Sequence, residues 1–264
     1  MSIAEAILLA IIEGLTEFLP VSSTGHMIIG SSIMGIASQD FVKLFTICIQ
    51  LGAIISVIVL YYKNFFQSKD FYYKLAIAFI PSAILGKLFS DYIDMLLETP
   101  FGVAISLLVG GILLLFVDKW FNKNIIHHTA EINRPTALKI GFFQCIAMIP
   151  GVSRSGATIV GGMSLGLSRK TAAEFSFFLA VPTMFAATAY KLYKFIKQSG
   201  LPTNHEIMIL AIGNLVAFIV GLIAIKTFIG FLNNNGFKVF GWYRILVGSI
   251  LLIMYFSGIN LSIF

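Results

Sequence analysis

Two carboxylates stand four residues apart in EGLTEFLPVSSTGH, the stretch from Glu13 to His26. Residues at i and i+4 share a helix face, so Glu13 and Glu17 project together. Such a pair repels unless a cation lies between them or one of them holds a proton. Hard oxygen ligands of this kind suit Mg2+ or Ca2+. Pro20 stops the helix, and VSSTG adds the hydroxyls of Ser22, Ser23 and Thr24 and a flexible glycine before a second helix begins near His26. A neutral imidazole there can serve as nucleophile or base. The blander alternatives are helix-end carboxylates reaching for water or free backbone groups, and a hydrogen-bonded core histidine.

A second stretch, PGVSRSGAT from Pro150 to Thr158, carries the complementary chemistry. Arg154 offers a planar fork of donors that matches phosphate oxygens. Ser153, Ser155 and Thr158 add hydroxyls, while Gly151 and Gly156 allow tight turns that aim backbone N–H groups and a helix N-terminus at an anion. Arg154 could equally neutralise Glu13 or Glu17, and one arginine can do both.

The rest of the chain explains where these groups sit. Of 264 residues, 58% are hydrophobic and only 11% charged, with a mean hydropathy of +0.93. Soluble domains carry roughly 25% charged residues, so this is an all-α integral membrane protein. The net charge of +6 then reports topology, with no nucleic-acid partner implied. Cys48 and Cys145 lie in apolar runs and are expected to be free thiols. No removed signal peptide is read at the N-terminus.

A crossing helix needs about 20 apolar residues. Six segments qualify: 42–62, 73–89 (the short one), 101–120, 173–193, 207–231 and 239–256. Two further apolar regions, 3–35 and 135–166, are interrupted by polar and glycine-rich sequence. They read as re-entrant helix-loop-helix hairpins, since irregular backbone at bilayer depth is tolerated only inside protein or beside a wet cavity. The two also match each other at an offset of 131: Glu13 meets Gln144, Val21 meets Val152, Ser22 meets Ser153, Thr24 meets Ser155 and Gly25 meets Gly156. Ile28 with Ile159, Gly30 with Gly161 and Gly35 with Gly166 follow without a gap. The single membrane domain, 1–264, then divides into a first repeat at 1–120 and a second at 131–264, each a hairpin plus three spans. An odd number of crossings inverts the second copy, so the hairpins enter from opposite faces and meet near the midplane.

Lys63, Lys69, Lys119, Lys123, Arg134, Arg169, Lys170 and Lys238 fall on one face, placed in the cytoplasm by the positive-inside rule. The opposite face holds Asp91, Asp94, Glu98 and Glu206, but also the lysines 191, 194 and 197. The pair Gly110-Gly111 permits close helix approach, in a homodimer or within the chain.

In these motifs the chain resembles the undecaprenyl-pyrophosphate phosphatase family, also called the bacitracin-resistance protein family; EGLTEFLPVSSTGH and PGVSRSGAT both match, in order, and the resemblance runs over essentially the whole chain. It implies a bacterial inner-membrane enzyme, its site open to the periplasm or cell exterior, that hydrolyses undecaprenyl pyrophosphate and recycles the lipid carrier for peptidoglycan and other envelope polymers. Removing the pyrophosphate form would deprive bacitracin of its target. The resemblance makes Glu13 and Glu17 a divalent-metal motif, Ser23 and His26 catalytic, and Ser153, Arg154 and Thr158 phosphate-binding.

The expected mechanism has Arg154, Ser153 and the 151–156 backbone holding the pyrophosphate. His26 or Ser23 attacks the terminal phosphorus, or His26 activates a water, with His26 acting on water or Ser23 preferred. The competing class is a lipid-phosphate transporter or flippase, in which broken helices serve alternating access and the acids and histidine relay protons.

Overall fold

Every element of the computed structural model, which describes residues 1–65, 69–90, 92–93, 99–122 and 125–258, is helical apart from one isolated bridge between Ile126 and Leu167. Asp91, Asp94, Glu98 and Lys123 lie outside the described residues. Ser2 opens α1 (Ile3–Thr16): it accepts the Glu5 N–H while the Glu5 side chain accepts its own, a reciprocal cap that satisfies two orphan donors. The helix stops at Thr16, earlier than Pro20 itself, and Glu17 is its C-cap. The reason is local: Pro20 has no N–H to give the Thr16 carbonyl, so the ladder cannot continue past it. A turn over 17–21 leads into α2 (Ser23–Ile33).

Six helices are long and apolar enough to cross a membrane among the described residues. They are α3 (Asp40–Leu60), α4 (Lys69–Leu88), α5 (Pro100–Trp120), α8 (Arg169–Ser199), α9 (Asn204–Asn235) and α10 (Lys238–Phe256), and between α5 and α8 lie α6 (Arg134–Ile146) and α7 (Arg154–Ser164). The chain is thus a multi-pass membrane protein. The short segment near 73–89 gains a turn at its start and becomes a 20-residue helix. α8 and α9 overrun their apolar windows because their caps lie outside them: Ser168 accepts the Thr171 N–H, and Thr203 forms a reciprocal cap with Glu206.

The offset of 131 carries α2 onto α7 residue for residue, and the start of α1 onto the start of α6. Packing partners exchange under it too. α1 packs on α9 and α6 on α4; α3 packs on α9 and α8 on α4. α5 against α10 and α3 against α8 close the bundle. Gly110 and Gly111 are taken up inside the chain, where a Cβ would meet the Arg244 guanidinium and the Gly241 carbonyl at 2.3 and 2.8 Å. Cys48 and Cys145 are free. The core gathers Phe18, Phe177 and Phe178, with Phe18 and Phe177 edge to face at 5.2 Å. Leucines and isoleucines such as Ile84, Leu215, Leu246 and Ile253 point outward, as faces turned to lipid require.

On the face rich in basic residues, Asp118 at the end of α5 accepts from Arg169 Nε and from the Phe237 N–H, both at 2.7 Å. One carboxylate there ties the starts of α8 and α10 to α5.

Candidate active site

The site lies where the loop between α1 and α2 meets the loop between α6 and α7. In each loop a serine caps the following helix from a left-handed backbone conformation: Ser22 at φ 69° and Ser153 at φ 73°, the two such non-glycine residues among those described. Each hydroxyl accepts a backbone N–H three residues on, from Gly25 and Gly156 respectively. Left-handed backbone costs an L-residue roughly 1–2 kcal/mol, and cap hydrogen bonds of this kind offset about 1 kcal/mol of it.

The loops are joined by charge and by hydroxyls. Arg154 Nη2 donates to Glu17 Oε1 at 2.9 Å, and both side chains are nearly buried. Arg154 Nη1 donates to the Ser176 carbonyl at 2.9 Å, whereas its Nε is buried with no partner. Glu17 Oε2 accepts from Ser23 Oγ at 2.6 Å. Ser155 Oγ donates across the junction to the Leu19 carbonyl at 2.7 Å. Thr158 Oγ1 bonds the Arg154 carbonyl and the Ser176 hydroxyl. Ser155 and Thr158 therefore brace Arg154 and the loop junction from behind.

A cavity of about 820 Å³ opens on this junction. Glu17, Ser22, Ser23, Gly151, Ser153 and Arg154 line it; Glu13, His26, Ser155, Gly156 and Thr158 do not. His26 is turned the other way. Its Nδ1 is 2.8 Å from the Ser22 carbonyl, which can only accept, so Nδ1 carries a proton, and its Nε2 bonds the Tyr243 hydroxyl at 2.7 Å. The two rings also stack, centroids 5.5 Å apart. Gly156, expected to offer its N–H to an anion, gives it to Ser153 instead.

Glu13 is fully buried, and neither of its oxygens has a hydrogen-bond partner. Its counterpart at the offset of 131 shows what is missing. Gln144 Nε2 donates to Ser82 and Thr183 at 2.7 and 3.2 Å. On the Glu13 side the positions corresponding to those two are Gly213 and Gly52, which carry no side chain to bond. A buried carboxylate with empty lone pairs, one turn from a second carboxylate on the cavity wall, fits a hard divalent cation. Among the described residues no cluster of three or more acidic, histidine or cysteine side chains could hold a metal without other ligands, so the fit is to an ion that shares its remaining positions with substrate oxygens and water, as Mg2+ commonly does.

One residue of the site was not singled out from sequence. Arg244 of α10 is 1% exposed, and its guanidinium donates to five carbonyls: Pro20 of the first loop, Gly151 and Val152 of the second, and Ser106 and Leu107 of α5. The signal was available, because an arginine inside an apolar span marks a functional interior by default. Gly151 meets it with φ +88° and sits so near α5 that a Cβ would lie 2.6 Å from the Val103 carbonyl.

Residues 6–250 match the family model described as Bacitracin resistance protein BacA. Among curated proteins, one from Flavobacterium psychrophilum named undecaprenyl-diphosphatase is 66% identical, with 97% of each chain covered. Proteins of the same name from Porphyromonas gingivalis and Aquifex aeolicus are 54% and 48% identical, covering 100% of both chains and 92% of this chain with 95% of the other.

Proposed function

Because the chain belongs to the bacitracin resistance protein BacA family, we propose that it hydrolyses undecaprenyl pyrophosphate to undecaprenyl phosphate and inorganic phosphate. The observation that carries this reading into the structure is the Arg154–Glu17 pair at 2.9 Å, with Ser23 on the same carboxylate, all three lining the cavity. A phosphate acceptor competes for the guanidinium that Glu17 now holds, and the unpartnered Arg154 Nε is a donor in waiting. Glu17, relieved of that partner, is left as a base beside the Ser23 hydroxyl. Serine is a weak nucleophile without such a base. The geometry therefore favours Ser23, or a water held by Ser23 and Glu17, as the group that attacks the terminal phosphorus while the anhydride P–O bond breaks and undecaprenyl phosphate leaves. On the Ser23 route a water then hydrolyses the phosphoserine to release inorganic phosphate. His26 positions the Ser22 turn through its Nδ1–H. Arg154, Ser153 and Ser22 hold the phosphates on the cavity wall.

Glu13 and Glu17 would hold the divalent cation, whose chemistry is to neutralise charge spreading over the phosphoryl oxygens and the leaving phosphate. Glu17 orients Ser23 and, until a phosphate takes the guanidinium, balances Arg154; it would share a bound cation with Glu13.

The helix ends and the distribution of charge support one bilayer face for the cavity opening. Asp40 at the start of α3 and Ser199 at the end of α8 line the cavity, opposite the face of Lys63, Lys69, Lys119, Arg134, Arg169, Lys170 and Lys238. That distribution supports a bacterial inner-membrane protein with its site open to the periplasm. The matched loops and exchanged packing partners support an inverted repeat whose two hairpins, α1–α2 and α6–α7, enter from opposite faces. The hydrolase name shared by the relatives weighs against a pure flippase.

The test is phosphate release from a short-chain prenyl pyrophosphate by detergent-purified protein, with and without EDTA, beside Arg154→Ala and Glu17→Gln. Release that EDTA stops, and that each substitution lowers by on the order of 10²–10³-fold as removed oxyanion donors do, is expected. Folded wild-type protein that releases no phosphate, with metal restored and a long-chain substrate supplied, overturns the reading.

A further inference from the structure

Arg154 is held from α8 as well as by Glu17, and the hold is reciprocal. Its Nη1 donates to the Ser176 carbonyl at 2.9 Å. The Ser176 side chain in turn reaches the first turns of α7: its Oγ lies 2.6 Å from Thr158 Oγ1, which lies 2.8 Å from the Arg154 carbonyl. The direction of this chain is fixed, because a hydroxyl has one proton to give. The Arg154 and Ser155 carbonyls beside Thr158 Oγ1 can only accept, so Thr158 donates to the backbone and accepts from Ser176. A closed ring results, from guanidinium to Ser176 carbonyl, and from Ser176 hydroxyl through Thr158 to the Arg154 carbonyl. Both hydroxyl residues are buried and neither lines the cavity. The frame of the fold does not demand them. At the offset of 131, Thr158 corresponds to Met27 and Ser176 to Phe45, two buried members of one apolar cluster, and Arg154 corresponds to Ser23. The hydroxyl pair thus stands in the repeat that carries the arginine, while the other repeat fills the same two positions with apolar side chains. A buried hydrogen-bonded pair gains little stability over an apolar one of similar shape, so its presence points to placement.

We propose that Ser176 is a positioning residue for Arg154: it pins Nη1 and so reserves the opposite edge of the guanidinium for the pyrophosphate. Nε and Nη2 share that edge. Nη2 is the nitrogen held by Glu17 at 2.9 Å, and Nε has no partner. Two parallel donors on one edge match two phosphate oxygens, whereas Nη1 is committed to a backbone carbonyl that no substrate replaces. The Ser176 hydroxyl keeps α7 in register on α8, so that the carbonyl stays where Nη1 finds it when Glu17 gives way. The proposal rests on the phosphatase reading for what takes the free edge, and adds to it a residue of a spanning helix that acts without touching substrate.

The experiment removes the hydroxyl by Ser176→Ala in the full chain and assays farnesyl pyrophosphate hydrolysis in detergent. The control is Thr188→Val, which removes another buried hydroxyl of α8, one that donates to the Ile47 carbonyl. Ser176→Ala should lower kcat on the order of tenfold, the weight of one hydrogen bond, with KM changed by less than about threefold. Thr188→Val should leave kcat and KM within about twofold of wild type. Ser176→Cys, which keeps a weak donor, should fall between wild type and alanine. In an Arg154→Lys background Ser176→Ala should cost less than about twofold, because an ammonium has no fork edge to orient. Should Ser176→Ala lose its fold, Thr158→Val cuts the same chain from α7 and carries the same expectations. Equal kcat losses in Ser176→Ala and Thr188→Val, or an undiminished loss in the Arg154→Lys background, overturns the positioning role while the phosphatase stands. If wild-type protein hydrolyses no prenyl pyrophosphate, the phosphatase reading is what fails, and the rate of Arg154 modification by phenylglyoxal, read by mass spectrometry, still decides the clamp. Faster modification in Ser176→Ala than in Thr188→Val upholds it, and equal rates remove it.

Discussion

Arg244 offers the sharpest prediction, because its environment leaves little room for compensation. Its guanidinium bonds carbonyls on three separate segments: Pro20, the pair Gly151 and Val152, and the pair Ser106 and Leu107, at 2.8–3.3 Å. Hydrogen bonds to a charged group contribute about 1.5–3 kcal/mol each. Residues sharing one network do not add, so the sum overstates the loss. The measured cost of removing one side of a buried charged cluster, about 3–5 kcal/mol, is the better guide. Arg244→Ala should therefore lower the thermal unfolding midpoint in detergent by many degrees. Arg244→Lys is more informative: it keeps the charge, but one ammonium cannot span acceptors on three segments. Both loops then lose their shared anchor, and a displacement of about 1 Å at the reacting groups costs on the order of 10²-fold in rate. The expected signature for Arg244→Lys is a folded protein with kcat down by about that factor and a much smaller change in KM. The assay is prenyl pyrophosphate hydrolysis beside a melting curve of the same preparation. A lysine variant with wild-type kcat and an unchanged midpoint refutes the claim that Arg244 holds the two loops in register.

Three further outcomes follow from the geometry. Ser23→Ala should reduce kcat on the order of 10²–10³-fold, while His26→Ala, whose ring nitrogens are already spent on Ser22 and Tyr243, should stay within about tenfold, below the roughly 10²–10⁴-fold of general-base effects; comparable losses would put His26 back among the reacting groups. Glu13→Gln should raise the Mg2+ or Ca2+ concentration giving half-maximal activity by about tenfold, the small end of losses from removing one metal contact, and an unchanged metal dependence would detach Glu13 from the cation. Gly151→Ala should destabilise by more than the roughly 1–2 kcal/mol of a left-handed alanine, because its Cβ also meets the Val103 carbonyl at 2.6 Å; Gly35→Ala, at φ +68° with nothing within 4 Å, isolates the backbone cost, so equal losses at both positions would refute the clash.

What could be read from the sequence was whatever depends on composition and neighbours along the chain. The six crossing helices follow from apolar length, and α2 and α7 begin just after serines that the offset of 131 had already paired. The Glu13–Glu17 face follows from helical spacing, and the ion pair between Arg154 and an acid of the other loop was one of the open alternatives. Rotations about helix axes were not legible. Nothing local says that His26 turns to Tyr243, some 217 residues away, or that Ser155 reaches Leu19 while Ser153 keeps to the cavity wall. Gly156 gives its N–H to Ser153 because a left-handed serine cap forms there, and that conformation is disfavoured enough for an L-residue that no residue-type preference announces it. Arg244 could have been flagged by its depth in an apolar span, but its role depends on five carbonyls whose convergence only the packing of α5 and α10 creates.

The paired loops also show how matched frames carry unlike chemistry. At the offset of 131 the backbone devices are kept: the left-handed serines Ser22 and Ser153, their cap bonds to Gly25 and Gly156, and the helices that follow. The side chains that face the cavity from equivalent positions differ. Ser23 stands opposite Arg154 and Glu17 opposite Met148, all four on the cavity wall. Behind them Glu13 stands opposite Gln144, and His26 opposite Ala157. One loop thus supplies a hydroxyl beside a base, and the other supplies the cation and an apolar wall. Had the two loops stayed identical, the junction would hold either two acidic turns repelling each other or two arginines doing the same, each costly at low dielectric. Divergence at 23 and 154 and at 17 and 148 replaces that repulsion with the Arg154–Glu17 pair. The pair joins the two loops at 2.9 Å, and on the proposed reading its guanidinium is the group for which a phosphate would compete. The double variant that exchanges partners, Glu17→Arg with Arg154→Glu, should then recover stability lost in either single variant but not activity, because the base would no longer stand beside Ser23. Recovery of hydrolysis in that double variant would mean that the ion pair, and not the placement of Glu17 against Ser23, is what the reaction requires.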